Sequence, residues 1–190
     1  MQPRIYAVAL ALAALPGALA GQAATAAPAP ARAAASPSPV ADALRAMEHR
    51  YAPNLIAAAE AMPAEKFSYA PTPAQMSFAH IQTHLAEGND FLCGKIAGVA
   101  APTRTPVDTT AGKDKLVARL KETFAFCDSA LAKVDDTKLG EQMTLFGPNP
   151  YTRAMTILIT VGDWLDHYSQ EANYLRLNGV LPPTARPRTP

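Results

Sequence analysis

Apolar side chains recur along this chain at intervals of three and four residues in four separate stretches, the spacing that gathers them on one face of an α-helix. The first stretch runs from about Val40 to Met62, with Leu44, Met47, Tyr51, Leu55 and Ile56 on one stripe. The second is predicted to start behind Thr72, which precedes Pro73 in the order favoured at a helix N-terminus, and to end near Gly98. The third begins near Gly112 and carries Leu116, Leu120, Phe124, Cys127 and Leu131. The fourth, from about Pro150 to Asn178, holds Met155, Leu158, Ile159, Trp164, Leu165 and Tyr174, and stops at Asn178-Gly179 before Pro182-Pro183. No segment alternates strictly between apolar and polar, as a half-buried strand does. The pattern therefore predicts an all-α domain, most simply a four-helix bundle.

Between the second and third helices lie the Pro- and Thr-rich residues Val99 to Ala111. At about 3.3 Å per residue they reach along a whole helix, so a crossover that keeps the two helices parallel is open. Cys93 and Cys127 each precede the C-terminal end of their helix by several residues. Parallel helices bring them level, where they form either a disulfide or two buried thiols acting as small hydrophobes.

The ends read differently from the middle. Arg4, the apolar run Ile5 to Leu15, and Ala18-Leu19-Ala20 before Gly21 have the form of a secretory signal peptide over residues 1–20, with an uncleaved anchor as the alternative. Residues 21–39 are almost all Ala, Pro, Ser and Thr and predict a disordered spacer; residues 184–190 predict a matching tail. The folded domain is then 40–183, exported, with the periplasm as the expected compartment and no membrane association after cleavage. Acidic and basic residues number 16 and 17, which leaves no field favouring nucleic acid.

Candidate chemistry lies in two helical segments. His80 and His84 stand one turn apart on the second helix, and Asp163 and His167 one turn apart on the fourth, the spacing of paired metal ligands. Glu87, Glu171 and Asn173 either orient imidazoles or sit in solvent, while Trp164, Tyr168 and Tyr174 read as core and rim aromatics. Residues Gly140 to Pro150, with Phe146 among them, form a candidate pocket lid. No nucleophile elbow, phosphate-binding glycine loop or CxxC pair is present, which disfavours serine hydrolase, nucleotide-binding and thioredoxin-like readings.

Three segments, Ser77 to Cys93, Leu120 to Leu131 and His167 to Pro183, together resemble the DinB-like superfamily of metal-binding four-helix bundles. That resemblance implies a divalent metal, nickel or zinc first and iron or manganese next, held by one histidine on the second helix and a His-x-x-x-His pair on the fourth. Carried over, the ligands are His84 and His167, with Asp163 where the family has its other histidine. His80, Glu87 and Glu171 are candidates for the surrounding hydrogen bonds. The implied activity is that of a metal-dependent hydrolase or thiol transferase acting on a small molecule. The competing expectation is a non-enzymatic envelope or stress-associated binding module with a degenerate metal site, and a homodimer through a helix face is open.

Overall fold

The computed structural model describes residues 35–187. The expected signal peptide, most of the spacer and the last three residues of the tail lie outside them. Four helices dominate: α1 (Pro39–Ala61), α2 (Phe78–Ala97), α3 (Lys113–Leu131) and α4 (Arg153–Leu177). Each of α1 and α2 packs against both α3 and α4, so α1 and α2 occupy diagonal corners of a four-helix bundle. Leu44 and Leu55 of α1, Ile81 and Leu85 of α2, Leu120 of α3 and Trp164 of α4 meet in its core, each almost fully buried. Burial of one such side chain contributes about 1.5–3 kcal/mol. Among the described residues, no helix is long and apolar enough to cross a membrane.

Along α2 and α3 the paired residues advance together: Asn89 donates to Thr123 (3.3 Å), and one turn on Cys93 is joined to Cys127, with Cα atoms 5.3 Å apart. The crosslink closes a loop with a sequence separation of 34. Its removal in a Cys93→Ala, Cys127→Ala variant is expected to cost roughly 2–4 kcal/mol of unfolding free energy, read by urea titration against the oxidised protein.

Several boundaries differ from the sequence expectation, each for a local reason. Thr72 and Pro73 do not open α2. They belong to a turn in which Gln75 N donates to the Thr72 carbonyl, and the helix starts at Phe78, where Ser77 Oγ accepts from His80 N. The Tyr69 and Phe67 carbonyls accept from Phe78 N and Ala79 N, so a preceding segment, rather than a proline, satisfies the free amides of the first turn. The all-α bundle expected from the sequence carries one short hairpin in addition. β1 (Gln142–Thr144) and β2 (Pro150–Thr152) pair antiparallel, Met143 opposite Tyr151, in a short hairpin ahead of α4. Three residues per strand are too few for alternation to show.

The expected apolar stripe of α4 is buried only in part, at Trp164 and Tyr174. Met155 and Leu158 are exposed, whereas Thr156, Thr160, His167 and Glu171 are buried. The Thr156 and Thr160 hydroxyls donate to carbonyls four residues back, which lets polar side chains occupy the inner face at little cost. Part of the expected tail is ordered too: Pro183–Ala185 form a 3-10 turn tied to Tyr168, whose hydroxyl donates to Thr184 Oγ1 (2.8 Å).

The N-terminus of α1 has no cap of its own. Asp136, 95 residues away in the turn after α3, accepts from Val40 N (2.9 Å) and Ala41 N (2.8 Å). A carboxylate there satisfies two orphan donors and meets the positive end of the helix dipole. Asp136→Ala is expected to lower stability by about 1–2 kcal/mol, measurable as an earlier urea midpoint with an unchanged slope.

Candidate metal centre

Helices α2 and α4 run in opposite directions along each other. Gln82 bonds Glu171 near one end of the contact and Asn89 accepts from Trp164 Nε1 (2.8 Å) near the other. Between these pairs, His84 of α2 meets Asp163 and His167 of α4. The two α4 residues share a face because four residues make about one turn.

His84 Nε2 and His167 Nε2 each lie 3.3 Å from the same atom, Asp163 Oδ1. The imidazole centroids are 4.7 Å apart, and one ligand atom from each of the three residues falls within 4.8 Å of the others. A tetrahedral ion with bonds of about 2.0–2.1 Å holds neighbouring ligand atoms about 3.3 Å apart. A direct charge-assisted hydrogen bond would draw nitrogen and oxygen to about 2.7–2.9 Å. Both separations match that tetrahedral edge and also lie at the long end of hydrogen-bond reach. His167 is buried and Asp163 largely so, but the His84 side chain is 42% exposed, so the cluster opens to solvent on the α2 side.

Burial favours neutral His167, yet the Asp163 carboxylate, through its hydrogen bond and charge and with Asp166 and Gln170 adding, holds the imidazole above its ordinary range. The other ring nitrogen, Nδ1, is buried without a partner among the described residues. The orientation of His167 thus depends on its Nε2 contact and on packing. Gly88, one turn after His84, leaves room beside the carboxylate: a Cβ there would sit 3.5 Å from Asp163 Oδ2.

The three residues proposed as supporting partners go elsewhere, and none hydrogen-bonds the triad among the described residues. His80 and Glu87 line a cavity of about 660 Å³ between α2, the connection after it and α3, together with Asp90, Arg104 and Arg119. Arg104 straps that connection to α2 through two bonds to Asp90, 2.6 and 3.1 Å. Glu171 is fully buried and accepts from Gln82 Nε2 (2.6 Å); burial pushes its carboxyl up to about 8 against that hydrogen bond. Asn173 is exposed. The candidate lid is the β1–β2 hairpin, and Phe146 near its tip packs on Phe91 (5.7 Å between centroids), two turns along α2 from His84.

Sequence reasoning missed Gln82 and Glu48. Glu48 falls in register with Leu44 and Leu55 on the buried stripe of α1, a carboxylate at a core position, and that register was the available signal. Gln82 gave none, since a lone amide in an amphipathic helix is ordinarily solvated.

The sequence pattern of the DinB superfamily matches residues 48–174, more than half of the chain. The chain belongs to the DinB superfamily. Solved structures of similar fold include a DinB-like protein from Bacillus subtilis (16% identity, 77% of this chain and 99% of that one, TM-score 0.62). A conserved protein from Enterococcus faecalis also matches (16%, 73% and 96%, TM-score 0.59). So does a variant of a mycothiol-dependent maleylpyruvate isomerase (11%, 68% and 59%, TM-score 0.55). At these identities the likeness is one of fold. The search of curated proteins finds no match. In this DinB superfamily member the carboxylate of Asp163 stands between the two imidazoles, where the resemblance implies a third imidazole.

Proposed function

We propose that this protein is a metal-dependent enzyme of the envelope, exported by its N-terminal segment, in which His84, Asp163 and His167 hold one divalent ion and a small molecule reacts beside it. The observation that carries the reading is the pair of 3.3 Å separations converging on Asp163 Oδ1. Two neutral imidazoles and one carboxylate suit zinc or nickel, and a three-ligand set with an open side is the form of a catalytic site rather than a structural one. The ion would supply Lewis acidity, lowering the pKa of a bound water or thiol.

The chain's own residues do the rest. Buried His167 and Asp163 are fixed by the α4 backbone, while half-exposed His84 borders the entrance. Asp163 Oδ2, on the Gly88 side, stays available to accept a proton from an entering water or thiol. Hydrolysis is the first reading; the fold shared with a mycothiol-dependent isomerase is the reason to include thiols in the assay.

The test is turnover of activated ester and amide substrates, with and without added thiol, by protein stripped with chelator and reloaded with zinc or nickel. Activity restored by metal in the parent and at least about 100-fold lower in Asp163→Ala supports the reading. Metal bound stoichiometrically at the triad without turnover on any of these classes favours the second reading, a binding module.

A further inference from the structure

On the opposite side of the bundle, between α1 and α3, a second cluster gathers ligand atoms. We infer that Glu48, His49 and Asp128 form a second divalent-cation site, separate from the triad, that pins α1 to α3. His49 Nε2 lies 3.0 Å from Asp128 Oδ1 and 3.6 Å from Glu48 Oε2, and one ligand atom of each of the three falls within 4.8 Å of the others. The first of these contacts is a hydrogen bond, and together the two separations bracket the edge of about 3.3 Å expected for a tetrahedral ion.

The observation that points to a ligand is Glu48 itself. Only 3% of the residue is exposed, on a helix face otherwise made of Ala41, Leu44, Ala52 and Leu55. Among the described residues, no donor comes within hydrogen-bond distance of its carboxylate, whose oxygens reach the groove and pair at longer range with His49 Nε2, 3.6 Å away. An anion so placed is costly unless a cation or donor meets it. The neighbouring cations are engaged elsewhere. Lys121 is paired with Glu60 at 2.6 Å, and Arg45 is held by Asp42 and the Leu131 and Val134 carbonyls. His49 and Asp128 are exposed, and the groove they border, lined also by Ala52, Ile56 and Phe124, encloses about 450 Å³. Two carboxylates and one neutral imidazole carry two negative charges, which a divalent ion balances, and the open groove admits water to its remaining positions. The donor set, one nitrogen and two oxygens, suits zinc or manganese.

The experiment uses a His84→Ala, His167→Ala background, which removes the other site, so failure here leaves the triad reading untouched. Zinc titrated into this protein is expected to bind with one equivalent by calorimetry and to raise the midpoint of thermal unfolding. Cobalt should give visible bands of a nitrogen- and oxygen-ligated ion. His49→Ala and Asp128→Asn, at exposed positions that folding tolerates, should each weaken zinc binding by at least tenfold, and Glu48→Gln should do the same while leaving the fold intact by circular dichroism. Zinc binding unchanged in these variants, or no zinc bound by the background protein at about 100 µM, would overturn the proposal.

Discussion

Replacing His84 and His167 together by alanine is expected to remove one equivalent of zinc from the protein, with an affinity loss at the α2–α4 site of 100-fold or more. Each imidazole contributes its Nε2 to a centre whose third ligand, Asp163, is 3.3 Å from both. With either imidazole gone, too few protein ligands remain to hold the ion against water. The effect also registers without any assay of activity. A ligand present at about 100 times its dissociation constant stabilises the native state by about 2.7 kcal/mol. In a domain of this size that is a rise of roughly 5–10 °C in melting temperature, a contribution the double variant should lose while keeping the smaller shift expected from the α1–α3 cluster. Asp163→His is the informative reverse change. It installs the three-imidazole set that the superfamily resemblance implies, and the α2 residue facing the position is Gly88, which has no side chain to obstruct a larger one, so this variant should keep the equivalent of metal. Equal stoichiometry in the parent and in the His84→Ala, His167→Ala variant, with equal thermal shifts, would rule the centre out.

The second large effect is on stability against pH. Glu171 is fully buried, its Oε2 has no partner, and the Oε1 of its neighbour Gln82 has none either. Both vacancies close if Glu171 carries a proton, because the carboxyl then offers an O–H and the amide oxygen accepts it. Burial raises the folded-state value to about 8 from an ordinary 4.5. Between those values the folded chain holds a proton that the unfolded chain has released, so its contribution is complete below about pH 4.5 and is lost as pH rises towards 8. Glu48, raised to about 7 chiefly by burial, acts with the same sign over a shorter range. Glu171→Gln mimics the protonated acid and has nothing to lose. Metal-stripped variant and parent should match near pH 5, and by pH 8 the variant should be more stable by on the order of 2–4 kcal/mol. Urea midpoints across this range test it. A variant destabilised equally at every pH would mean that Glu171 is an ionised acceptor.

Much of the architecture was legible from pattern alone. The stripes Leu44 to Leu55 and Leu116 to Leu131 became buried faces, because on α1 and α3 nearly every inward position is apolar and period and burial coincide. On α4 they do not coincide. Its inner face carries threonines satisfied by their own helix together with the triad and Glu171, so hydrophobicity marked Trp164 and Tyr174 but also pointed to the exposed Met155 and Leu158. The start of α2 failed because the Phe67 and Tyr69 carbonyls set it and nothing at Thr72-Pro73 signals that contact, whereas α1 starts where expected although its cap, Asp136, comes from distant chain.

The sequence by itself determined four amphipathic helices, the membership of His84, Asp163 and His167 in two of them, and one face for Asp163 and His167, since helical periodicity is a local property. Only the tertiary structure decided that α2 and α4 run oppositely in contact, so that His84 arrives level with the other two and Asp163 faces Gly88. It also decided that Glu48 and Glu171 are carboxylates in the interior rather than on a solvated face. Both outcomes depend on which helices neighbour one another and at what height. Those are set by the summed packing of all four apolar faces and by loops long enough to permit several arrangements, not by any residue's own preference.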